Sequence, residues 1–385
     1  MKMKKITAAA ASIVLAALLT ACGESSSSPA ETTKAAETSA ETTAAASEET
    51  SETTSETSAE TAAEAAETTE AASSEETETS AETEAAAEEE TSEETAEEDA
   101  DEEEDYTTGD ATLDNVRNQD DIGENELLVI SFGTSFNDSR RLTIGAIENT
   151  LEEAFPDYSV RRGFTANIII DHVNRRDGIL IDDVDAALKR AVDNGVKTLV
   201  VQPTHLMNGF EYNDLIAQVG GYSDAFDKVV FGAPLLTSDD DFKRVEQAIT
   251  EWTAEYDDGK TAICFMGHGT EAESNAVYQK MQDLLAADGY ENYFVGTVEA
   301  SPSVYDILEK VKAGEYERVV LEPLMVVAGD HANNDMAGDE EDSWKSVFEA
   351  EGYKVECLLR GLGENESIRQ IYVDHAKAAI DSAAE

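Results

Sequence analysis

The stretch ELLVISFGTS, residues 126–135, decides the fold of this chain. It is a run of apolar and β-branched residues, 126–132, that ends in a glycine-containing loop. A run of this length without polar alternation is typical of a strand that is buried on both faces of a parallel sheet. Residues 140–155 then show apolar side chains at helical spacing, and Pro156 is expected to end that helix.

This strand–helix pattern continues to the end of the chain. Further strands are predicted at 158–164, 196–202, 228–232, 261–266, 293–297, 318–322 and 354–358. Helices are predicted at 166–176, 182–194, 238–256 and 364–379, with Asp182 as the cap of the second. Strands that alternate with helices of this length indicate an α/β fold built from parallel βαβ units.

The chain also contains a weak internal repeat. SFGTS (131–135) resembles MGHGT (266–270), VRRGFT (160–165) resembles YFVGTV (293–298), and LVVQPTH (199–205) resembles VVLEPLM (319–325). We therefore expect two similar halves, 124–258 and 259–385, each a mostly parallel sheet flanked by helices. The carboxyl ends of the strands would line a cleft between the halves, which is where open α/β folds bind ligands.

Much of the charge lies before this α/β part. The 385 residues carry a net charge of −57, and residues 23–110 contain 31 acidic side chains, one lysine and no Val, Ile, Leu, Met, Phe or Trp. Such a composition cannot form a core, so residues 23–123 are predicted to be a disordered acidic linker. The acidic balance excludes an ordinary nucleic-acid-binding protein, which shows a basic face.

Residues 1–22 have the features of a secretion signal. Lys2, Lys4 and Lys5 precede an apolar run, 6–19, that is too short to span a bilayer. The segment LTAC (19–22) resembles a bacterial lipobox, which implies cleavage before Cys22 and lipidation of its sulfur. The mature chain would then be extracytoplasmic and lipid-anchored to the cell membrane. A plain signal peptide with a chance cysteine is the alternative.

Candidate chemistry lies at the ends of the predicted strands. Three of the five histidines, His205, His268 and His331, follow strands directly, and so does Glu299. Two imidazoles and a carboxylate suit a borderline divalent ion such as cobalt, nickel, iron or zinc. The other two histidines, His172 and His375, lie within predicted helices and are expected to be structural.

Other chemistry is not indicated. The sequence contains neither the G-x-x-x-x-G-K-[ST] phosphate loop nor the G-x-S-x-G nucleophile motif. Cys264 and Cys357 fall within predicted strands as core residues or as one disulfide. The acidic run 338–344 is interpreted as a helix start rather than a second metal site.

Taken together, these segments resemble the anaerobic-type sirohydrochlorin cobalt chelatases, which are class II tetrapyrrole chelatases. The resemblance runs from about 125 to 380 and is carried by SFGTS (131–135), QPTH with NG (202–209), FMGHGTE (265–271), FVGTVE (294–299), PLMVVAGDHANNDMAGDEEDSWKS (323–346) and GLGEN (361–365). The long segment 323–346 is the most specific of them.

The resemblance implies ATP-independent insertion of Co²⁺ into sirohydrochlorin, on the route to cobalamin, with no organic cofactor. His268, Glu299 and His331 match the residues that hold the incoming metal and act in catalysis in that family. The ligand set would also accept Fe²⁺ or Ni²⁺ as the substrate metal. A homo-oligomer is left open.

Sirohydrochlorin carries many carboxylates, so we expect a cationic patch confined to the cleft. The candidate cations are Arg140, Arg141, Arg161, Arg162, Arg175 and Arg176. The residues expected to contact the substrate are Ser131, Thr134, Arg162 and His205. The alternative function is an exported lipoprotein that binds haem, another tetrapyrrole or a metal ion without chelatase activity, with His205 as an axial ligand.

Overall fold

The computed structural model describes residues 109–120 and 123–382. The predicted signal sequence with Cys22 and the linker residues 23–108 lie outside the described residues. Within the described ranges, every helix is too short or too polar to cross a bilayer.

The first half forms one four-stranded sheet. Its strands are β1 (Asn125–Ser131), β2 (Ser159–Phe164), β3 (Thr198–Pro203) and β4 (Lys228–Phe231). All neighbours are parallel, in the order β2-β1-β3-β4. Its helices are α1 (Asn137–Leu142), α2 (Ile144–Ala154), α3 (Asn167–Asp177), α4 (Val184–Asp193) and α5 (Phe210–Gly220). Six of the seven β1 residues are buried, as the continuous apolar run predicts.

The second half repeats this architecture, as the internal repeat predicts. Its strands are β5 (Thr261–Gly267), β6 (Tyr293–Thr297), β7 (Arg318–Pro323) and β8 (Lys354–Cys357), all parallel and in the equivalent order β6-β5-β7-β8. The helices are α6 (Asp239–Thr253), which joins the halves, and α7 (Ala276–Ala287), α8 (Val304–Ala313), α9 (Trp344–Ala350) and α10 (Glu366–Ser382).

The halves share a core. One cluster of buried side chains includes Val129 and Val200 from the first sheet and Phe265 and Val320 from the second. The terminal helix α10 packs back on the first half, where the Tyr372 hydroxyl donates to the Thr204 carbonyl at 2.8 Å. This shared apolar core fixes the position of one sheet relative to the other.

Two helix boundaries differ from the prediction. The helix expected at 140–155 is divided at Thr143, whose ψ of −79° departs from helical geometry. A Cβ on Gly363 would lie 2.9 Å from the Thr143 Cβ, so the second half packs tightly against this break. The cap of α4 is Asp183, which accepts from the Ala186 amide, and not Asp182.

The linker prediction 23–123 is wrong for its last residues. Residues 109–120, here called the strap, begin with a 3₁₀ turn and then lie against the first half. Asp114 is buried between the guanidinium groups of Arg140, at 2.7 Å, and Arg162, at 2.6 Å. Arg117 in turn pairs with Glu148 at 3.3 Å. The folded body therefore includes the strap, because buried charges hold it in place.

Candidate metal centre

Loops at the carboxyl ends of the two sheets meet in a symmetrical way. The loop after β7 approaches the loop after β1, where a Cβ on Gly329 would lie 2.9 Å from the Thr134 hydroxyl, and its Ala328 amide donates to the Ser139 hydroxyl of α1 at 3.0 Å. The loop after β3 approaches the loop after β5, where a Cβ on Gly209 would lie 3.8 Å from the Ser274 hydroxyl. The carboxyl ends of the strands of both halves therefore lie on the same side of the folded part, where the sequence predicts a cleft.

Three neighbouring strands of the second half place His268, Glu299 and His331 together. His268 directly follows β5, Glu299 follows β6, and His331 follows the loop after β7 and opens a π-helical turn, Ala332–Met336. One ligand atom from each of the three residues lies within 4.8 Å of the other two. The His268 and His331 rings are 4.7 Å apart and nearly perpendicular. All three side chains are partly exposed, so an ion can reach them from solvent.

Glycines on both sides of His268 set its direction. Gly269 has a φ of +97°, and a Cβ there would lie 2.8 Å from the Ala300 amide nitrogen. The His268 Nδ1 lies 2.8 Å from the Gly269 carbonyl, which can only accept a hydrogen bond. With the proton on Nδ1, the lone pair of Nε2 is free for a metal ion.

A carboxylate orients His331 in the same way. Its Nδ1 lies 2.7 Å from the Asp335 Oδ2, one helical turn away in the π-helical turn. Burial alone would lower the pKa of His331, but the hydrogen bond and charge of Asp335, with Glu299 and Asp330, raise it. A second set of possible metal ligands also includes His331, together with the carboxylates of Asp330 and Asp335. Such carboxylate–histidine pairs orient metal-binding imidazoles in many proteins.

The expected cationic patch is not formed by the candidate arginines. The side chains of Arg140 and Arg162 are 0% exposed and pair with Asp114, while Arg176 pairs with Asp177 and donates to the Ser135 carbonyl. Arg161 is buried and donates to the Gln119 carbonyl, Arg141 pairs with Asp138, and Arg175 lies exposed. Most of these guanidinium groups are therefore bound within the protein itself.

Three of the four expected substrate contacts have partners within the protein itself. Arg162 is held by Asp114 and Glu148 and cannot reach a ligand without breaking buried ion pairs. The Ser131 hydroxyl is buried and accepts from Thr204 at 2.8 Å. Thr134 is buried against the backbone, where its hydroxyl accepts from the Phe136 amide. Sequence patterns do not show these internal partners.

His205 differs from those three. Its side chain is 7% exposed, and neither ring nitrogen has a hydrogen-bond partner among the described residues. The carboxylate of Glu211, in the first turn of α5, lies 3.6 Å from its Nε2. Neither α5 nor Glu211 was predicted from the sequence. The internal repeat contains a signal that identifies Glu211. The segment 202–211 aligns with 322–331, so Glu211 occupies the position equivalent to His331.

The two remaining histidines, His375 and His172, contact groups of the protein itself. His375 lies 3.0 Å from both the Ala233 carbonyl and Asp241, and His172 is buried near Arg176. The cysteines Cys264 and Cys357 are free thiols rather than a disulfide. The run 338–344 leads into α9, which is capped by Ser343.

Comparison with known proteins gives a family and several relatives. The sequence model of the cobalt chelatase (CbiK) family matches residues 125–381. The chain is 37% identical over 259 residues to the sirohydrochlorin cobaltochelatase of Salmonella typhimurium, covering 67% of this chain and 97% of that protein. It is 32% identical over 261 residues to a sirohydrochlorin cobaltochelatase of Nitratidesulfovibrio vulgaris, covering 66% and 90%. Among solved structures, SirB from Bacillus subtilis with Fe³⁺ aligns at 11% identity and a TM-score of 0.48, covering 68% and 98%.

Proposed function

The chain belongs to the cobalt chelatase (CbiK) family and is a metal chelatase, and from this premise we propose that it inserts Co²⁺ into sirohydrochlorin without ATP. The observation that carries the proposal is the convergence of His268, Glu299 and His331 at the edge of the cleft. Two relatives named sirohydrochlorin cobaltochelatases, matched over at least 90% of their lengths, support the same substrate and metal.

In the proposed reaction the three side chains replace part of the water shell of the ion. Two neutral imidazoles and one carboxylate bind Co²⁺ firmly yet leave positions open for the macrocycle nitrogens. The carboxylate of Glu299 also offsets one positive charge of the ion. Because the ligand atoms come from three adjacent strand ends, the rigid sheet holds them at a fixed separation before the ion arrives.

The same ligand set also suits Fe²⁺ and Ni²⁺. Competition between these ions and Co²⁺ for insertion would therefore show which metal the chain prefers. In the test, the purified chain is mixed with sirohydrochlorin and Co²⁺ without ATP, and the absorption spectrum is followed. Conversion to the cobalt form faster than in a protein-free control supports the proposal. A spectrum that changes no faster than the control contradicts it.

A second candidate function is an exported tetrapyrrole- or metal-binding protein. It is favoured by the paired state of the arginines, which leaves few cations for a polycarboxylate. It predicts a spectral change on addition of haem or sirohydrochlorin alone, and no insertion after Co²⁺ is added.

We further propose an extracytoplasmic, lipid-anchored location. It is supported by the lipobox-like segment 19–22 and the acidic linker that follows. A Cys22→Ser variant tests this location, because the wild type should sediment with membranes and label with radioactive fatty acid, whereas the variant should do neither. Equal labelling of both forms would contradict the anchor.

A further inference from the structure

The strap carries a carboxylate into the interior of the first half. The Asp114 side chain is 2% exposed, and it accepts hydrogen bonds from Arg140 at 2.7 Å and from Arg162 at 2.6 and 3.0 Å. Burial alone would raise the pKa of Asp114, but the charges and hydrogen bonds of Arg162 and Arg140 lower it, so the group is ionised near pH 7. The strap precedes residues 125–381, which match the family model. These ion pairs therefore join a segment outside the family match to the chelatase body.

Arg140 passes this restraint to the loop after β1. Besides Asp114, its guanidinium group donates to the carbonyl groups of Thr134 at 3.1 Å and Ser135 at 3.4 Å, and to the side chain of Asn137. The Arg140 side chain is 0% exposed, and a buried carbonyl group that loses its donor is costly. The conformation of residues 133–137, here called the β1 loop, therefore depends on where Asp114 holds this guanidinium group.

The β1 loop lies against the loop that carries His331. A Cβ on Gly329, two residues before His331, would lie 2.9 Å from the Thr134 hydroxyl. In addition, Val116 of the strap and Val327 of the loop after β7 pack against the same cluster of buried side chains. A close-packed interior transmits a displacement from one group to its neighbours. The strap therefore reaches the metal centre by two routes, one of hydrogen bonds and one of apolar packing.

On the basis of the function proposed above, we propose that Asp114 is a positioning residue of the metal centre. It holds Arg140 and the β1 loop in place, and this loop supports the segment that sets His331 beside His268. Without the carboxylate, the guanidinium groups of Arg140 and Arg162 repel each other and the β1 loop loses its fixed donor. The metal ligands are then less well arranged before Co²⁺ binds, and a loosely held site binds its ion more weakly.

The first test removes the carboxylate and then supplies one from solution. Isothermal titration of folded Asp114→Ala with Co²⁺ should give an affinity about 10-fold below that of the wild type, the lower end of the range for groups that support metal ligands. Formate should restore most of this affinity, because the two buried guanidinium groups can bind a carboxylate in the vacated space. The wild type, titrated at the same formate concentrations, corrects for binding of formate to the ion.

The rate of insertion separates positioning from a general loss of stability. We expect the KM for Co²⁺ to rise about 10-fold in Asp114→Ala while kcat stays near that of the wild type, because all three ligands are present once the ion is bound. Leu199→Ala is the matched control. Leu199 is buried in the cluster beneath α4 and α5, so its truncation lowers the stability. The Co²⁺ affinity of folded Leu199→Ala should equal that of the wild type.

Arg140→Lys tests the connection between Asp114 and the β1 loop. Lysine retains the charge that pairs with Asp114, but its single ammonium group cannot replace the fork of donors that also reaches the Thr134 and Ser135 carbonyls. We expect a similar loss of Co²⁺ affinity, which formate does not restore because Asp114 is still present. Thermal unfolding followed by circular dichroism identifies variants that fail to fold, and if Asp114→Ala is one of them, the titration of Arg140→Lys decides.

The inference is wrong if folded Asp114→Ala or folded Arg140→Lys binds Co²⁺ as tightly as the wild type. It is also wrong if formate restores none of the affinity of Asp114→Ala, or if Leu199→Ala loses as much affinity as Asp114→Ala. Failure of the wild type to insert Co²⁺ into sirohydrochlorin would overturn the proposed function instead. The two failures are distinguishable, because the titrations with Co²⁺ contain no macrocycle.

Discussion

Asp335 offers a sharp test of the metal centre, because it touches a proposed ligand without being one of the three. Its carboxylate lies 2.7 Å from the Nδ1 of His331 and holds the proton there. Replacing such a carboxylate typically lowers metal affinity 10- to 100-fold, or about 1.4–2.8 kcal/mol. Asp335→Asn keeps an acceptor oxygen and loses only charge, so we expect about a 10-fold loss of Co²⁺ affinity. Asp335→Ala loses both, so we expect about a 100-fold loss.

The pH dependence gives a second signature. Asp335 raises the pKa of His331, so protons compete with the ion as the pH falls. In Asp335→Asn that pKa falls, and competition begins at lower pH. The affinity difference between the wild type and the variant should therefore be largest at pH 8 and smaller at pH 6.

Isothermal titration with Co²⁺ at these two pH values measures both effects. Glu341→Gln is the control, because Glu341 is an exposed acid in the same segment and should change the affinity little. Unchanged affinity in Asp335→Ala, or an equal loss in Glu341→Gln, would refute the proposed role of the carboxylate.

Three further predictions concern the stability of the folded part and the loop that carries His268. Asp114→Asn leaves two buried guanidinium groups short of one counter-charge and should lower the unfolding free energy by about 3–5 kcal/mol, measured with urea. Burial raises the pKa of Glu126 from 4.5 to about 8, so between these values the folded state holds a proton that the unfolded state has released, and stability falls as the pH rises. Glu126→Gln should remove this pH dependence of the unfolding free energy, which is on the order of a few kcal/mol. Melting curves at pH 5 and pH 8 measure it. Gly269→Ala forces a side chain into a left-handed conformation and should abolish insertion while far-ultraviolet circular dichroism stays normal.

The sheets could be predicted from the sequence because parallel strands have a strong signature. The repeated order of apolar runs predicts two similar halves, and both sheets have the equivalent strand order. The positions of His268, Glu299 and His331 also follow from strand ends, because neighbouring parallel strands end at the same edge.

The partners of charged residues could not be predicted in this way. Asp114 pairs with Arg162 across 48 positions of the sequence, and composition alone assigns the strap to the acidic linker. The same pairing removes Arg140 and Arg162 from the set of free cations. The spacing of residues in a sequence shows which face they occupy but not which counter-charge meets them.

The break at Thr143 has a similar origin. Local spacing favours one helix, but the close approach of Gly363 from the second half divides it. The first turn of α5 was missed because its apolar spacing is weak, and with it Glu211 was missed. The approach of Gly363 is a tertiary contact, and a local sequence window does not contain it.

The central claim is that His268, Glu299 and His331 hold the ion that enters the macrocycle. The most direct test is the initial rate of cobalt–sirohydrochlorin formation by folded His331→Ala beside the wild type, at a Co²⁺ concentration that saturates the wild type. The account predicts rapid formation by the wild type and a rate for the variant close to that without protein. Formation by His331→Ala at the wild-type rate would contradict it.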